Sequence, residues 1–430
     1  MRLGLLANRD FRLLWTGETT SCLGTAISEL ALPLVAISVL HASAFAISAL
    51  LAAVWLPWVV IGLPAGAWVD RLPRRNVMIA ADLVSLAAFV SVPVAAWCGV
   101  LTIAQLLAVA LVAGIASVFF KTAYKAFLPA LLGREDLLEG NTKLQGSEQV
   151  CNVAGPGVAG LLAQVAGAVA GVLANAVSFA VSALCLSRLQ IREPGPTAAR
   201  DRHLLREIGE GLRIVVRDPL LRANTLFGCL SNMVLAGYQS VMVVFLIRVV
   251  GLNSGVTGVM IALISLGGVT GAFLARRLAQ TFGTARAVFY GRLLLTPAGL
   301  LIPLTTRGAG LALFVVGSVT IDAALIAGNI IWGSWRQSYY PARIRGRVST
   351  SVQVFAYGVA PVGALLAGLI ANHAGTRDAL WVMLGGLAVS SLVQLAGPLP
   401  RLRDLPPPPT EPDGRPGHSD SQLAQSDAKR

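Results

Sequence analysis

Twelve stretches of about twenty mostly apolar residues follow one another along this 430-residue chain. They lie near 13–38, 45–69, 77–98, 102–123, 147–166 and 168–187, then near 223–247, 256–275, 287–306, 311–334, 348–371 and 379–397. Each is long enough to cross the hydrocarbon of a bilayer, where a helix satisfies every backbone polar group within itself. The closest division falls at Gly167, with apolar residues on both sides. Only 13% of residues are charged, against about 25% in soluble domains, and the mean hydropathy is +0.71. A soluble protein could not cover so much apolar surface. The expected fold class is an all-α membrane protein with twelve transmembrane helices, its first span retained as an anchor rather than cleaved as a signal peptide.

A net charge of +13 would suit a nucleic-acid binder, but its distribution argues for a bilayer. With the N-terminus inside, 31 of the 34 Lys and Arg residues fall in cytoplasmic segments; Arg248, Arg307 and Arg377 are the exceptions. Positive charge is retained on the cytoplasmic side of spanning helices. Both termini are therefore expected in the cytoplasm, and no nucleic-acid partner is expected.

The chain also repeats at an offset near 205. Gly62 and Gly66 recur as Gly267 and Gly271, Gln149-Val150 as Gln353-Val354, Pro156 as Pro361, and Arg9-Asp10 as Arg217-Asp218. Two six-helix halves follow, at 1–190 and 222–397, joined by a basic linker at 191–221, the parallel-repeat plan of many transporters. Residues 398–430 are rich in Pro, Asp and Ser and are expected to be disordered.

Cys22, Cys98, Cys151, Cys185 and Cys229 stand singly without CxxC spacing, which suggests packing rather than a disulfide framework or a metal site. No Walker A, HExxH or nucleophile-elbow pattern occurs, so neither enzyme chemistry nor a cofactor is expected. Gly155-Pro156-Gly157-Val158-Ala159-Gly160 fits GxGxxG, yet it lies inside an apolar helix with no strand before it. Close helix packing at Gly155 and Gly160, with a bend at Pro156, is the better account, and the same holds around Pro361.

Acids inside apolar spans point to chemistry, because they are costly there and usually face water or a partner. Glu18 and Glu29 are eleven residues apart, about three helical turns, so they share a face with Cys22 and Thr25. Asp322 sits mid-span in the second half. All four histidines lie in loops or the tail, leaving carboxyls to carry any proton relay. Structural pairing with Arg, Lys or buried amides such as Asn224 and Asn232 is the competing account. Trp55 and Trp58 are cavity candidates; Trp68, Trp332 and Trp335, at span ends, read as interfacial anchors. Lys121 and Lys125 read as snorkelling charges at the end of the fourth span, with an inner vestibule as the alternative.

Gly66-Ala67-Trp68-Val69-Asp70-Arg71-Leu72-Pro73-Arg74-Arg75 resembles the loop 2–3 signature of the major facilitator superfamily, and Gly271 to Arg277 resembles its echo in the second half without the acid. Pro129-Ala130-Leu131-Leu132 through Asn141, and Pro341 through Arg345-Gly346-Arg347-Val348, are similar to the branch holding the enterobactin exporter, macrolide efflux pumps and transmembrane secretion effectors. Gly146 and Gly155 to Gly160 resemble the fifth-span motif of antiporters. The resemblance implies the major facilitator fold, with Asp70, Gly66, Arg71, Arg74 and Arg75 at an inner gate. It further implies proton-coupled efflux of a small amphipathic molecule such as a drug, antibiotic or siderophore, by a monomer in the cytoplasmic membrane. An importer or facilitator of the same fold is the alternative, and a non-transporting receptor a remote one. The chain departs from the branch at Thr25 and at Lys121-Thr122, where acids are common.

Overall fold

The computed structural model describes residues 4–69, 71–133, 135–190, 213, 215–339 and 358–407. Among these no strand occurs, and helices take up most of the described residues. The first half holds α1 (Arg9–Ser38), α2 (Ala44–Val60), α3 (Gly62–Val69), α4 (Arg74–Trp97), α5 (Ile103–Leu131), α6 (Leu137–Ala166) and α7 (Ala168–Ser187). The second holds α8 (Pro219–Val244), α9 (Ser254–Phe282), α10 (Thr284–Leu295), α11 (Leu311–Tyr339), α12 (Ala360–His373) and α13 (Thr376–Leu392). A π turn extends α8 to Val249, and 3₁₀ turns extend α10 to Leu304 and α13 to Ala396.

Nine of the twelve expected spans are matched by helices long and apolar enough to cross a membrane. Helices also occupy the other three. The 45–69 stretch is divided at Ile61 between α2 and α3, because Pro64 has no N–H for the Val60 carbonyl and Gly62 adds backbone freedom. The fifth is α6, and α12 covers the outer part of the eleventh, whose residues 348–357 lie outside the described set.

Helix starts follow local chemistry. Asn8, Ser43, Thr102, Asp218 and Asn253 each accept hydrogen bonds from the first free N–H groups of α1, α2, α5, α8 and α9, which would otherwise be unpaired. Gly167, at φ +85°, makes the sharp reversal between α6 and α7.

The tail expectation needs correction over its first ten residues. Leu399 and Leu405 are buried with Val215, Leu220, Ala285, Trp332 and Trp335. The Arg403 carbonyl accepts from Ala285 and Arg286 N–H at 3.1 and 3.3 Å. Asp404 Oδ1 accepts from Thr284 N at 2.8 Å. This segment caps the N-terminus of α10, which has no capping side chain of its own. The two apolar leucines in an otherwise polar stretch make the docking favourable. Trp332 and Trp335 are corrected with it: at 5% and 8% exposure they are core rather than interfacial anchors. Trp335 Nε1 donates to the Pro406 carbonyl at 2.8 Å. Trp68, 48% exposed and stacked on Phe119, keeps an anchor's position.

Candidate functional site

The acid stripe of α1 points toward α4, α5 and α6. One face of α1 carries Gly17, Ser21, Gly24 and Ser28, and it packs tightly on α7. A Cβ at Gly17 would come within 3.0 Å of Cys185 Cβ, and Asn175 Nδ2 donates to Ser28 Oγ at 2.8 Å. Small residues let the backbones approach, and that packing turns Glu18, Cys22, Thr25 and Glu29 to another side. Thr25 and Glu29 are exposed, Cys22 and Glu18 half-buried.

Lys121 of α5 lies within Coulombic reach of both Glu18 and Glu29. It also stands 5.9 Å from the Trp58 ring centroid. The two acids lie about 16 Å apart along α1, so Lys121 acts on both over a distance and forms an ion pair with neither among the described residues. Glu18 is further within reach of Asp82 on α4 and Glu148 on α6, and one of its oxygens, Oε2, is buried without a hydrogen-bond partner. Trp58, and Trp55 one turn before it on α2, are half-buried, and Lys125 is exposed one turn beyond Lys121.

Asp82 escaped the sequence reading. It is 2% exposed, faces the Ser182 hydroxyl on α7, and leaves Oδ2 unpaired. Its signal was available as an acid two turns into an apolar span, and the sequence reading did not single it out.

In the second half, Asp322 on α11 lies against Gly267 and Gly268 of α9: a Cβ at Gly267 would sit 2.7 Å from Asp322 Cβ. Tyr238 of α8 is in Coulombic reach of it, and its hydroxyl is 3.3 Å from Ser318 Oγ.

Arg292 also corrects the sequence reading, which counts it among cytoplasmic charges. It is 1% exposed inside the second half. Its guanidinium donates to Asn224 Oδ1 at 2.9 Å and Asn329 Oδ1 at 3.1 Å, and sits 4.4 Å from the Phe227 ring centroid. Asn224 therefore holds a cation rather than lining a cavity or pairing an acid. Asn232 Nδ2 donates to the Gly228 carbonyl within its own helix at 2.8 Å.

Of the gate residues, Asp70 lies outside the described residues. Arg74 donates to the Ala126 carbonyl at 3.2 Å, and Arg75 donates to the Leu186 carbonyl at 2.8 Å and to that of Ser187. Both arginines thereby tie α4 to the ends of α5 and α7 within one half, and carbonyl ends of helices favour cations. Arg71 is exposed, and Gly66 has open space where a Cβ would be.

The halves meet at the end of the bundle away from both chain termini. Gly160 of α6 faces Gly258 of α9, where a Cβ on either would come within 2.9 Å of the other's Cα. Gly368 of α12 faces Ser48 of α2, where a Cβ on the glycine would lie 2.7 Å from Ser48 Cβ. Gly155 serves α1 instead, against Ala26. Pro156 offers its carbonyl side to Gly258, and Pro361 is buried in the first turn of α12.

A family model described as Major Facilitator Superfamily matches residues 14–364. The multidrug efflux pump Tap of Mycolicibacterium fortuitum is 29% identical over 81% of this chain and 86% of its own length. Macrolide efflux protein A of Streptococcus pyogenes is 24% identical over 92% of this chain and 97% of its own. Among solved structures, a mutant of the nucleoside transporter NupG superposes with a TM-score of 0.74 at 11% identity, covering 90% of this chain and 99% of that one. A bacterial homologue of the iron transporter ferroportin, in an inward-facing state, gives 0.72 at 16% identity, covering 90% and 98%.

Proposed function

Because the chain belongs to the Major Facilitator Superfamily, and so is a multi-span membrane transporter of small molecules, we propose that it exports an amphipathic small molecule in exchange for protons. The observation that carries this reading is Lys121 set between Glu18 and Glu29. Two carboxyls and one cation between the helices form a group whose charge balance changes with each proton taken up or released. In the exporter's cycle, a proton entering from outside neutralises Glu29, frees Lys121 from one partner and weakens substrate binding. Proton release inside restores the site. Asp322 would supply a second titrating group in the other half. Thr25, Cys22, Trp55 and Trp58 would line the substrate's path, mixing polar and aromatic surface as an amphipathic ligand requires.

The movement is alternating access, with residues 1–190 and 222–397 rocking about the gap. Close contact between α6 and α9, and between α2 and α12, at the end away from the termini supports a state open toward the termini. With both termini in the cytoplasm, that state is inward-open. Asp70 with Gly66 and Arg71 would close the opposite end, while Arg74 and Arg75 keep the first half rigid. The two relatives named as efflux pumps support export across a bacterial cell membrane.

The experiment is comparative accumulation of macrolides and fluorescent cationic dyes in cells with and without the protein. Lower accumulation in expressing cells, abolished by an uncoupler, is the expected result. Equal accumulation, or export indifferent to the uncoupler, would contradict the proposal.

A further inference from the structure

Helices α1 and α6 run side by side in one direction, in a register fixed by three successive contacts. Trp15 Nε1 donates to Ser147 Oγ at 2.9 Å. One turn along, the Cys151 thiol donates to the Thr19 carbonyl at 3.5 Å. One turn further along α6 and two along α1, the Ala26 backbone lies against Gly155, where a Cβ would fall 2.9 Å from the Ala26 carbonyl carbon. Cys151 is thereby set between Thr19 and Ala26, which is where α1 carries Cys22. Cys22 and Cys151 therefore face each other across the two helices, close enough to act on one another, and both are free.

Two residues 129 apart in sequence, read singly as packing, thus form a dithiol on two helices. The charged and titratable groups facing it are Glu18 of α1 and Glu148 of α6, which reach both sulfurs, and Tyr124 of α5, which reaches Cys22. Among the described residues no cluster of three or more metal-ligating side chains occurs, so the pair suits a ligand satisfied by two sulfurs. Soft thiophilic centres meet that description.

We propose that Cys22 and Cys151 form a bidentate site for a trivalent arsenical, which bridges α1 to α6 and blocks the transport path. In the reaction an organoarsenic oxide loses its oxygen as water, taking one proton from each thiol, while two As–S bonds form. Arsenic keeps its oxidation state, so no oxidant is consumed. Both thiol protons leave in the water, so no separate proton acceptor is required. The site itself depends only on the α1–α6 register. The blocking effect rests on the proposed function, which puts Cys22 along the substrate's path.

The probe is phenylarsine oxide added to the purified full-length protein, followed by denaturing alkylation and intact mass. The wild type is expected to gain one phenylarsenic group and to lose two of its five alkylatable thiols. Cys22→Ser and Cys151→Ser should each bind none, and 2,3-dimercaptopropanol should reverse the capture. A variant with Cys98, Cys185 and Cys229 all changed to Ser should still bind one equivalent. Five alkylatable thiols in the treated wild type, or capture surviving in either single variant, would overturn the site. In vesicles, transport by the wild type should fall at least tenfold with the arsenical while transport by Cys151→Ser is spared. Capture without inhibition would overturn the placement on the path. An untreated wild type that transports nothing would count against the proposed function and leave the mass result to decide the site.

Discussion

Arg292 Nη1 of α10 donates to Asn224 Oδ1 of α8 at 2.9 Å, and its second nitrogen reaches Asn329 of α11. No acid pairs with this buried cation among the described residues. Two amide oxygens and the face of Phe227 take the place of a counter-ion, and three helices of the second half are held at one point. Arg292→Ala would leave both amides unpaired in the interior, at about 1–3 kcal/mol for each orphaned group. Arg292→Lys cannot span the fork and should recover only part of the loss. Thermal unfolding in detergent should show midpoints ordered wild type, Lys, Ala. Equal midpoints would contradict the node's role.

Gly160 and Gly258 set a second expectation. Any side chain at Gly160 meets the α9 backbone, so Gly160→Leu must part the halves at that end. Overpacking of this kind costs about 1–3 kcal/mol, which is roughly a tenfold or larger shift between gate states. A cysteine placed at Gln164 should then react faster with an impermeant maleimide applied outside the cell. Unchanged reactivity would show that α6 and α9 do not form the closed gate.

The docked segment 398–407 yields a third. Removing residues 408–430 should leave thermal stability unchanged. Removing residues 399–430 strips the cap from α10 and the apolar contacts of Leu399 and Leu405, each worth about 1.5–3 kcal/mol when fully buried. Asp404→Ala alone should cost about 1 kcal/mol, as for other helix caps. The longer truncation should lower the unfolding midpoint in detergent. Equal midpoints for both truncations would mean the segment is not part of the folded half.

A pH effect is expected where the chain first meets α6, outside the membrane-spanning part. Lys143, and after it the Leu5 N–H, hold the Glu139 carboxyl below its ordinary value; the contacts are 2.7 and 3.2 Å. A depressed carboxylate adds stability above its unfolded-state value, and that stability is lost as pH falls through the depressed one. The Leu5 amide should therefore be protected, relative to its intrinsic exchange rate, at neutral pH and lose that protection only in acid below the usual carboxylate range. Glu139→Gln should remove the pH dependence of the protection. Protection in the wild type that does not change with acid would contradict it.

Much of the fold was legible because the bilayer imposes one length and one secondary structure on each span. The division at Gly167 could be read from sequence; the interruption at Ile61 could have been, from Gly62 and Pro64. The docking of Leu399 and Leu405 could not, since a polar proline-rich stretch looks the same whether two of its leucines find a pocket or not. Of the site, Glu18, Cys22, Thr25 and Glu29 were visible from helical spacing alone. Asp82 was legible as an acid within the third apolar stretch but was not singled out, and Arg292 was hidden by its place at the edge of a basic segment. What brings Lys121 to two acids, or Cys22 to Cys151, is contact between helices distant in sequence, which spacing within one helix cannot report.

The central claim is that Glu29, facing Lys121, couples proton movement to export. It is tested most directly in vesicles that carry a transported dye and a pH-sensitive reporter in the lumen. An imposed pH gradient should drive wild-type dye transport against its concentration gradient, with matching proton flux. Glu29→Gln should carry dye only down its gradient, with no proton flux. A variant that keeps full gradient-driven transport and proton flux would contradict the account.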